Sequence, residues 1–238
     1  MSAPEILVNI GLLCLCYFYV IVIIAVTGKI NYCLPKSVSR KFLHIMIGNL
    51  IFIIPFFSFN VFPVNFPFFV AAPFIFLTFL VSKASPIKNI SNKMSGLSDV
   101  TSGGHGFGLV LYAVSFTILA LLFSTKPYVI AAGIIPMAFG DAAASLVGQK
   151  IGHHQYNLFA KKSLEGSIAM FMVCFLSLLL SLLFFAYLYP LSALNFVVAA
   201  LGVAAVATTC EALTPKGFDN LTVPLFSVAI FLLLMGGI

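Results

Sequence analysis

The sequence predicts an all-α fold: a polytopic membrane helix bundle of about eight transmembrane helices, with a polar site at the cytoplasmic interface. Three observations carry this. Of 238 residues, 62% are hydrophobic and only 8% are charged, too few charges to cover a water-soluble domain of this size. The apolar residues fall into runs long enough for a helix to cross the hydrocarbon core, which takes about 20 residues. Basic residues concentrate in every other connection between those runs.

Residues 5–27 form the first run; without a basic leader and with full spanning length, it reads as a retained helix rather than a signal peptide. Residues 43–58 form a shorter run that ends near Pro55, so the count falls to seven if this segment is re-entrant. The Phe-rich run 61–82 follows, then 106–124, 128–147, 167–190, 192–210 and 221–238. Runs five and seven are rich in Ala and Gly (Ala131, Ala132, Gly133; Ala199, Ala200, Gly202). Small residues let helix backbones approach closely in lipid, so both are expected at the centre of the bundle, with runs three and eight at its edge. The longest polar stretch, 83–105, reads as a linker or a lid. The whole chain, 1–238, is expected to be a single integral membrane domain.

The connections after runs one, three, five and seven hold eleven of the twelve basic residues; Lys126 is the exception. The positive-inside rule makes that side cytoplasmic and puts both ends outside, in a multi-pass protein of the cell membrane. Asp99, Asp141, Glu165, Glu211 and Asp219 gather on the same side, as do His44, His105, His153 and His154. The rule concerns Lys and Arg only, so the acids point to a polar site there, against the simpler reading that acids avoid lipid. A net charge of +6 is accounted for by topology and calls for no nucleic-acid partner. The five cysteines include no CxxC pair and read as small packing residues. His153-His154 read as solvated loop residues, and the Asn-x-Ser/Thr sequences at Asn89 and Asn220 lie on the wrong side for glycosylation.

Three segments carry candidate chemistry: 40–48, 140–167 and 211–225. In the second, Asp141 interrupts an apolar run, where a carboxylate is costly and usually functional. Asp141, Ser145 and Gly148 share a helical face, and Gly148 and Gly152 leave room for a ligand or another backbone. Lys161, Lys162, Glu165 and Gly166 then open run six, where cations and helix N–H groups suit phosphate; ordinary topology signalling would explain the lysines taken alone. In the third segment, Glu211 stands at the membrane boundary, and Asp219 and Asn220 form the turn into run eight, where helix capping would account for one of them. In the first, Arg40, His44 and Gly48 share a face beside Lys41; a buried, hydrogen-bonded histidine is the plainer reading of His44.

These segments resemble a known family. Asp141, Ala144, Gly148 and Gly152, followed by Lys161-Lys162-xx-Glu165-Gly166, are similar to the nucleotide-binding segment of the polyprenol kinase family, which includes dolichol kinase, phytol kinase and the CTP-dependent diacylglycerol kinase of fungi. Glu211 with Asp219-Asn220-Leu-xx-Pro224-Leu resembles its C-terminal motif, and Arg40-Lys41-xx-His44 its N-terminal motif. The resemblance implies phosphoryl transfer from CTP to a membrane lipid alcohol, with Gly148, Gly152, Gly166 and Asn220 belonging to the nucleotide-binding motifs. The extra N-terminal spans of dolichol kinases are missing, which argues against dolichol. Nothing in the sequence chooses among phytol, diacylglycerol or another lipid alcohol.

The residues fit that chemistry on their own terms. Phosphoryl transfer needs positioning and charge stabilisation by Mg²⁺ and cations, and Mg²⁺ needs only one or two carboxylates. Asp141 is the first choice of metal ligand, then Glu165 or Asp219; Lys161, Lys162, Arg40 and Lys41 would hold the triphosphate, and His44 and Glu211 are the candidate bases. The soluble-kinase signatures GxxxxGK[ST], HRD and DFG are missing. A cytidylyltransferase making a CDP-lipid would need the same groups. A secondary transporter ranks third, because its ionisable groups would sit near the midplane of repeated halves.

Overall fold

The computed structural model describes residues 3–61, 64–82, 107–191, 195–215 and 217–236. The polar stretch 83–105, with Lys83, Lys88, Lys93, Asp99 and His105, lies outside the described residues, as does Lys216. The chain divides into two compact units, Met1–Thr125 and Lys126–Ile238.

In the first unit, α1 (Ala3–Cys33) is apolar on every side, so packing alone selects its buried stripe of Asn9, Cys16, Val20, Ile23 and Thr27. The polar members of that stripe are satisfied locally: Asn9 donates to the Glu5 carbonyl at 2.7 Å and accepts from the Ser58 N–H at 2.9 Å, and Thr27 donates to the Ile23 carbonyl at 2.7 Å. Pro35 ends the connection, and α2 (Lys36–Gly48) runs on through two 3₁₀ turns, Asn49–Phe52 and Ile54–Phe56. The short second run therefore starts earlier than its apolar residues suggest. Lys36, Arg40 and Lys41 are taken into the helix.

A two-residue hairpin, β1 (Asn60–Val61) with β2 (Val64–Asn65), leads into α3 (Phe66–Val81), capped by the Asn65 side chain at 3.0 Å from the Phe68 N–H. Pro73 inside α3 has no N–H, which frees the carbonyl four residues back at Phe69; the Tyr17 hydroxyl donates to it at 2.6 Å. Then α4 (Gly108–Phe123) packs along α3.

The second unit is built around one rod. Helix α5 (Pro127–Ile135) passes through a π-helical turn (Pro136–Gly140) into α6 (Asp141–Ile151). Of the apolar stretch within Pro127–Ile151, 78% is buried, so run five is central as its small residues suggest. A hairpin of β3 (Gln155–Asn157) and β4 (Lys161–Ser163) follows, then α7 (Leu164–Leu188), α8 (Phe196–Leu213) and α9 (Asp219–Leu234). Helix α8, in contrast, buries only a stripe: Ala199, Ala200, Val203, Ala204, Ala207 and Glu211 face inward while Val197, Val198 and Leu201 stay exposed. Its small residues serve one face, against α7 and α9.

The described residues are thus all-helical apart from two short hairpins, and the protein is multi-pass. Each of the eight expected runs carries a helix. Among the described residues, five are long and apolar enough to cross a membrane: Ala3–Cys33, Lys36–Phe56, Pro127–Ile151, Leu164–Leu188 and Phe196–Leu213. Among the described residues, Phe66–Val81, Gly108–Phe123 and Asp219–Leu234 are apolar but fall short of that length. Sixteen residues rise only about 24 Å, against a core of about 30 Å. The structure therefore supports five spans by length where the sequence led to eight.

Candidate functional site

Asp141 opens α6 directly after the π turn and is 6% exposed. The turn has a local cause. Pro136 cannot donate a helical hydrogen bond, and its carbonyl takes the N–H of Asp141, one residue further along than an α-helix would provide. The Cys174 thiol points at the same carbonyl, 3.6 Å away. Gly140 admits this thiol: a Cβ there would lie 2.1 Å from the Cys174 sulfur. Cys174 in turn lies within electrostatic reach of both Asp141 and Glu211.

Glu211 arrives from α8. It continues the inward stripe of Ala199, Val203 and Ala207 at four-residue steps, so helical phase carries it inside, where it is 6% exposed. Lys162 meets it from β4. The ammonium lies 2.5 Å from Glu211 Oε1 and also donates to the Glu211 carbonyl, with the two side chains 10% and 9% exposed. The two lysines are not equivalent. Along β4, Lys161 is exposed, Lys162 reaches Glu211, and Ser163 is buried. Across the hairpin, Tyr156 pairs with Lys162, and its hydroxyl bonds Ser167 Oγ at 2.6 Å.

The glycines explain how α7 is seated. Ser163 caps α7, accepting from the Gly166 N–H at 3.2 Å. Its hydroxyl lies where Cβ atoms at Gly148 and Gly152 would come within 3.0 and 2.6 Å. A Cβ on Gly166 would lie 2.8 Å from the Ala144 carbonyl and 3.4 Å from the Gly148 Cα. Of the two readings open for Gly148 and Gly152, the close neighbour in the structure is protein, the start of α7.

The remaining candidates are spread out. Glu165 holds His154 through Nδ1 at 2.7 Å and through its backbone N–H at 3.0 Å, in an exposed setting. Asp219 takes the first helical position of α9 rather than its cap, accepting from the Asn220 N–H at 2.9 Å. Asn220 is 5% exposed and donates to the Gly217 carbonyl at 3.4 Å, while its Oδ1 is buried and has no hydrogen-bond partner among the described residues. Arg40, Lys41 and His44 belong to the first unit. There Lys41 is buried, Arg40 is half-buried, and His44 is 2% exposed against the Tyr112 ring, with centroids 4.9 Å apart. Among the described residues, no three His, Cys, Asp or Glu side chains are grouped to hold a metal ion.

The second unit thus brings Asp141 and Glu211 within electrostatic reach of Cys174 and ties Lys162 to Glu211, with Ser163, Gly148 and Gly166 fixing the helix junction. Cys174 and Ser163 were not legible as site residues. A cysteine in an apolar run reads as packing, and Ser163 is marked only by its place three residues before Gly166. No family model and no solved structure matches the chain. Among curated proteins, a phytol kinase of Synechocystis sp. (strain ATCC 27184 / PCC 6803 / Kazusa) is 35% identical to it over 201 residues, covering 82% of this chain and 78% of its own.

Proposed function

Because the chain belongs to the polyprenol and phytol kinase family, we propose that it is a membrane lipid-alcohol kinase that uses CTP as phosphoryl donor. The single observation that carries this reading is the buried Lys162–Glu211 pair, whose carboxylate, like that of Asp141, lies within electrostatic reach of Cys174. Two carboxylates and a cation assembled at helix ends are costly in an apolar bundle and suit a phosphate–metal ligand.

In the reaction, the lipid hydroxyl oxygen attacks the γ-phosphorus and the bond from that phosphorus to the β–γ bridging oxygen breaks. CDP leaves, and the hydroxyl proton passes to a base. Asp141 fits Mg²⁺ as a hard oxygen donor, and a single carboxylate suffices when phosphate oxygens and waters complete the shell; Glu165 and Asp219 stand second. The metal, when bound, neutralises charge on the transferring phosphoryl group. Lys162, held by Glu211, presents a fixed cation to the phosphates, and Lys161 adds further positive charge. Gly148, Gly152 and Gly166 keep the α6–α7 junction tight next to the nucleotide, and Asn220 offers its Oδ1 to it. Glu211, engaged by the Lys162 ammonium, acts as a positioning residue.

All eight apolar helices cross the cell membrane in this reading, with the site on the cytoplasmic face, where CTP is available from water and the hydroxyl sits at headgroup depth. The test is transfer of label from CTP by purified protein in bilayers with magnesium and candidate alcohols. Label from the γ position is expected in the lipid, with ATP a poor substitute. Label entering from the α position onto a phosphatidate would mean a cytidylyltransferase, and no transfer from either position would remove both enzyme readings.

A further inference from the structure

The β3–β4 hairpin closes through Leu158-Phe159-Ala160. Turns that face water favour Gly, Pro, Asn, Asp and Ser. This one instead presents Leu158 at 60% and Phe159 at 69% exposure. Its surroundings carry one sign of charge. Residues 142–164 hold three lysines and two histidines and no acid. Lys162 is tied to Glu211 and His154 to Glu165. Lys161 pairs across the hairpin with Asn157, directly beside the tip. It is exposed and has no ion-pair partner among the described residues.

The tethers of the hairpin limit where this tip can be. The chain enters it from Pro127–Ile151 and leaves it into Leu164–Leu188, both long and apolar enough to cross a membrane. Phe159 is five residues from Leu164, and five extended residues reach at most about 18 Å. The headgroup layer on each side of the hydrocarbon is about 5–8 Å deep, so the tip is within reach of it. We propose that the hairpin rests on the bilayer, with Leu158 and Phe159 sunk into the headgroup layer and the Lys161 ammonium at the phosphates of anionic lipids. The apolar tip gains by leaving water, and the cation adds attraction to a negatively charged surface. This contact goes beyond the kinase reading and does not depend on it. It would steady the strand that carries Lys162 to Glu211.

The chain contains no tryptophan, so Phe159→Trp adds a single fluorescent reporter at an exposed position. The test is its emission after reconstitution into vesicles of phosphatidylcholine, with and without phosphatidylglycerol. A blue-shifted emission is expected, quenched more by lipids brominated just below the headgroup than by lipids brominated near the chain end. The quenching is expected to rise with phosphatidylglycerol. That rise should vanish in high salt, which screens exposed charges, and when Lys161→Gln is added. Leu158→Trp, as an independent reporter, should give the same pattern. Emission typical of indole in water, unquenched by either lipid, would overturn the proposal. So would a blue-shifted emission that no brominated lipid quenches, since the tip would then be covered by protein. Quenching indifferent to phosphatidylglycerol, salt and Lys161 would overturn the assignment to anionic lipid.

Discussion

Asp141→Asn keeps the shape of a buried residue and removes its charge. Initial rates of lipid phosphorylation are expected to fall by about 10²–10³-fold, the scale of losing one preorganised charge contact, with helicity and melting temperature close to wild type. A full rate would take Asp141 out of the metal site. The Lys162–Glu211 pair behaves differently. Lys162→Met removes the ammonium from a Glu211 carboxylate that is 9% exposed, which should cost about 3–5 kcal/mol of stability. The double variant Lys162→Met with Glu211→Leu should recover most of that loss, since two apolar groups need no partner, yet remain inactive. Denaturation of the three variants, read beside the rate assay, separates stability from chemistry. At this scale the sequence was informative about charge and silent about partners. Asp141 stands out because a carboxylate in an apolar run needs a reason. That Lys162 and not Lys161 turns inward depends on a three-residue strand, too short to announce itself by alternation.

The α6–α7 junction is the element on which the second unit turns. Gly166→Ala would place a Cβ 2.8 Å from the Ala144 carbonyl, a backbone atom that cannot swing aside. Overpacking of this kind costs about 1–3 kcal/mol. The variant is expected to melt earlier and to lose activity, whereas an alanine at Gly28, which meets nothing within 4 Å, should leave both unchanged. Helices were legible in the sequence wherever apolar length was sufficient, and their ends were not. Lys36, Arg40 and Lys41 look like loop charges but lie inside α2. The glycines at 148, 152 and 166 were visible as places of close approach. Whether a ligand or a helix comes close is decided by tertiary packing, which no local pattern records.

At the scale of the molecule, many large apolar side chains of the described residues face outward. Leu7, Phe18, Leu180 and Leu233 are each more than half exposed, which water would punish and lipid does not. Composition alone announced this. The number of crossings is harder to read, because three apolar helices stop at 16 residues. If all eight cross, reporters fused at the two ends should both register the non-cytoplasmic side. Opposite sides would rule out an even number of crossings.

The π turn at Pro136–Gly140 carries one residue more than an α-helix needs at that point. Removing a residue from an ordinary helix swings everything beyond it by about 100°. Here a deletion at Ala138 would let the turn close as an α-helix while both flanks keep their bearings. The rod therefore has a slack link just ahead of Asp141. The half that settles into the bundle and the half that carries the carboxylate are free to accumulate changes separately, without one dragging the other out of alignment.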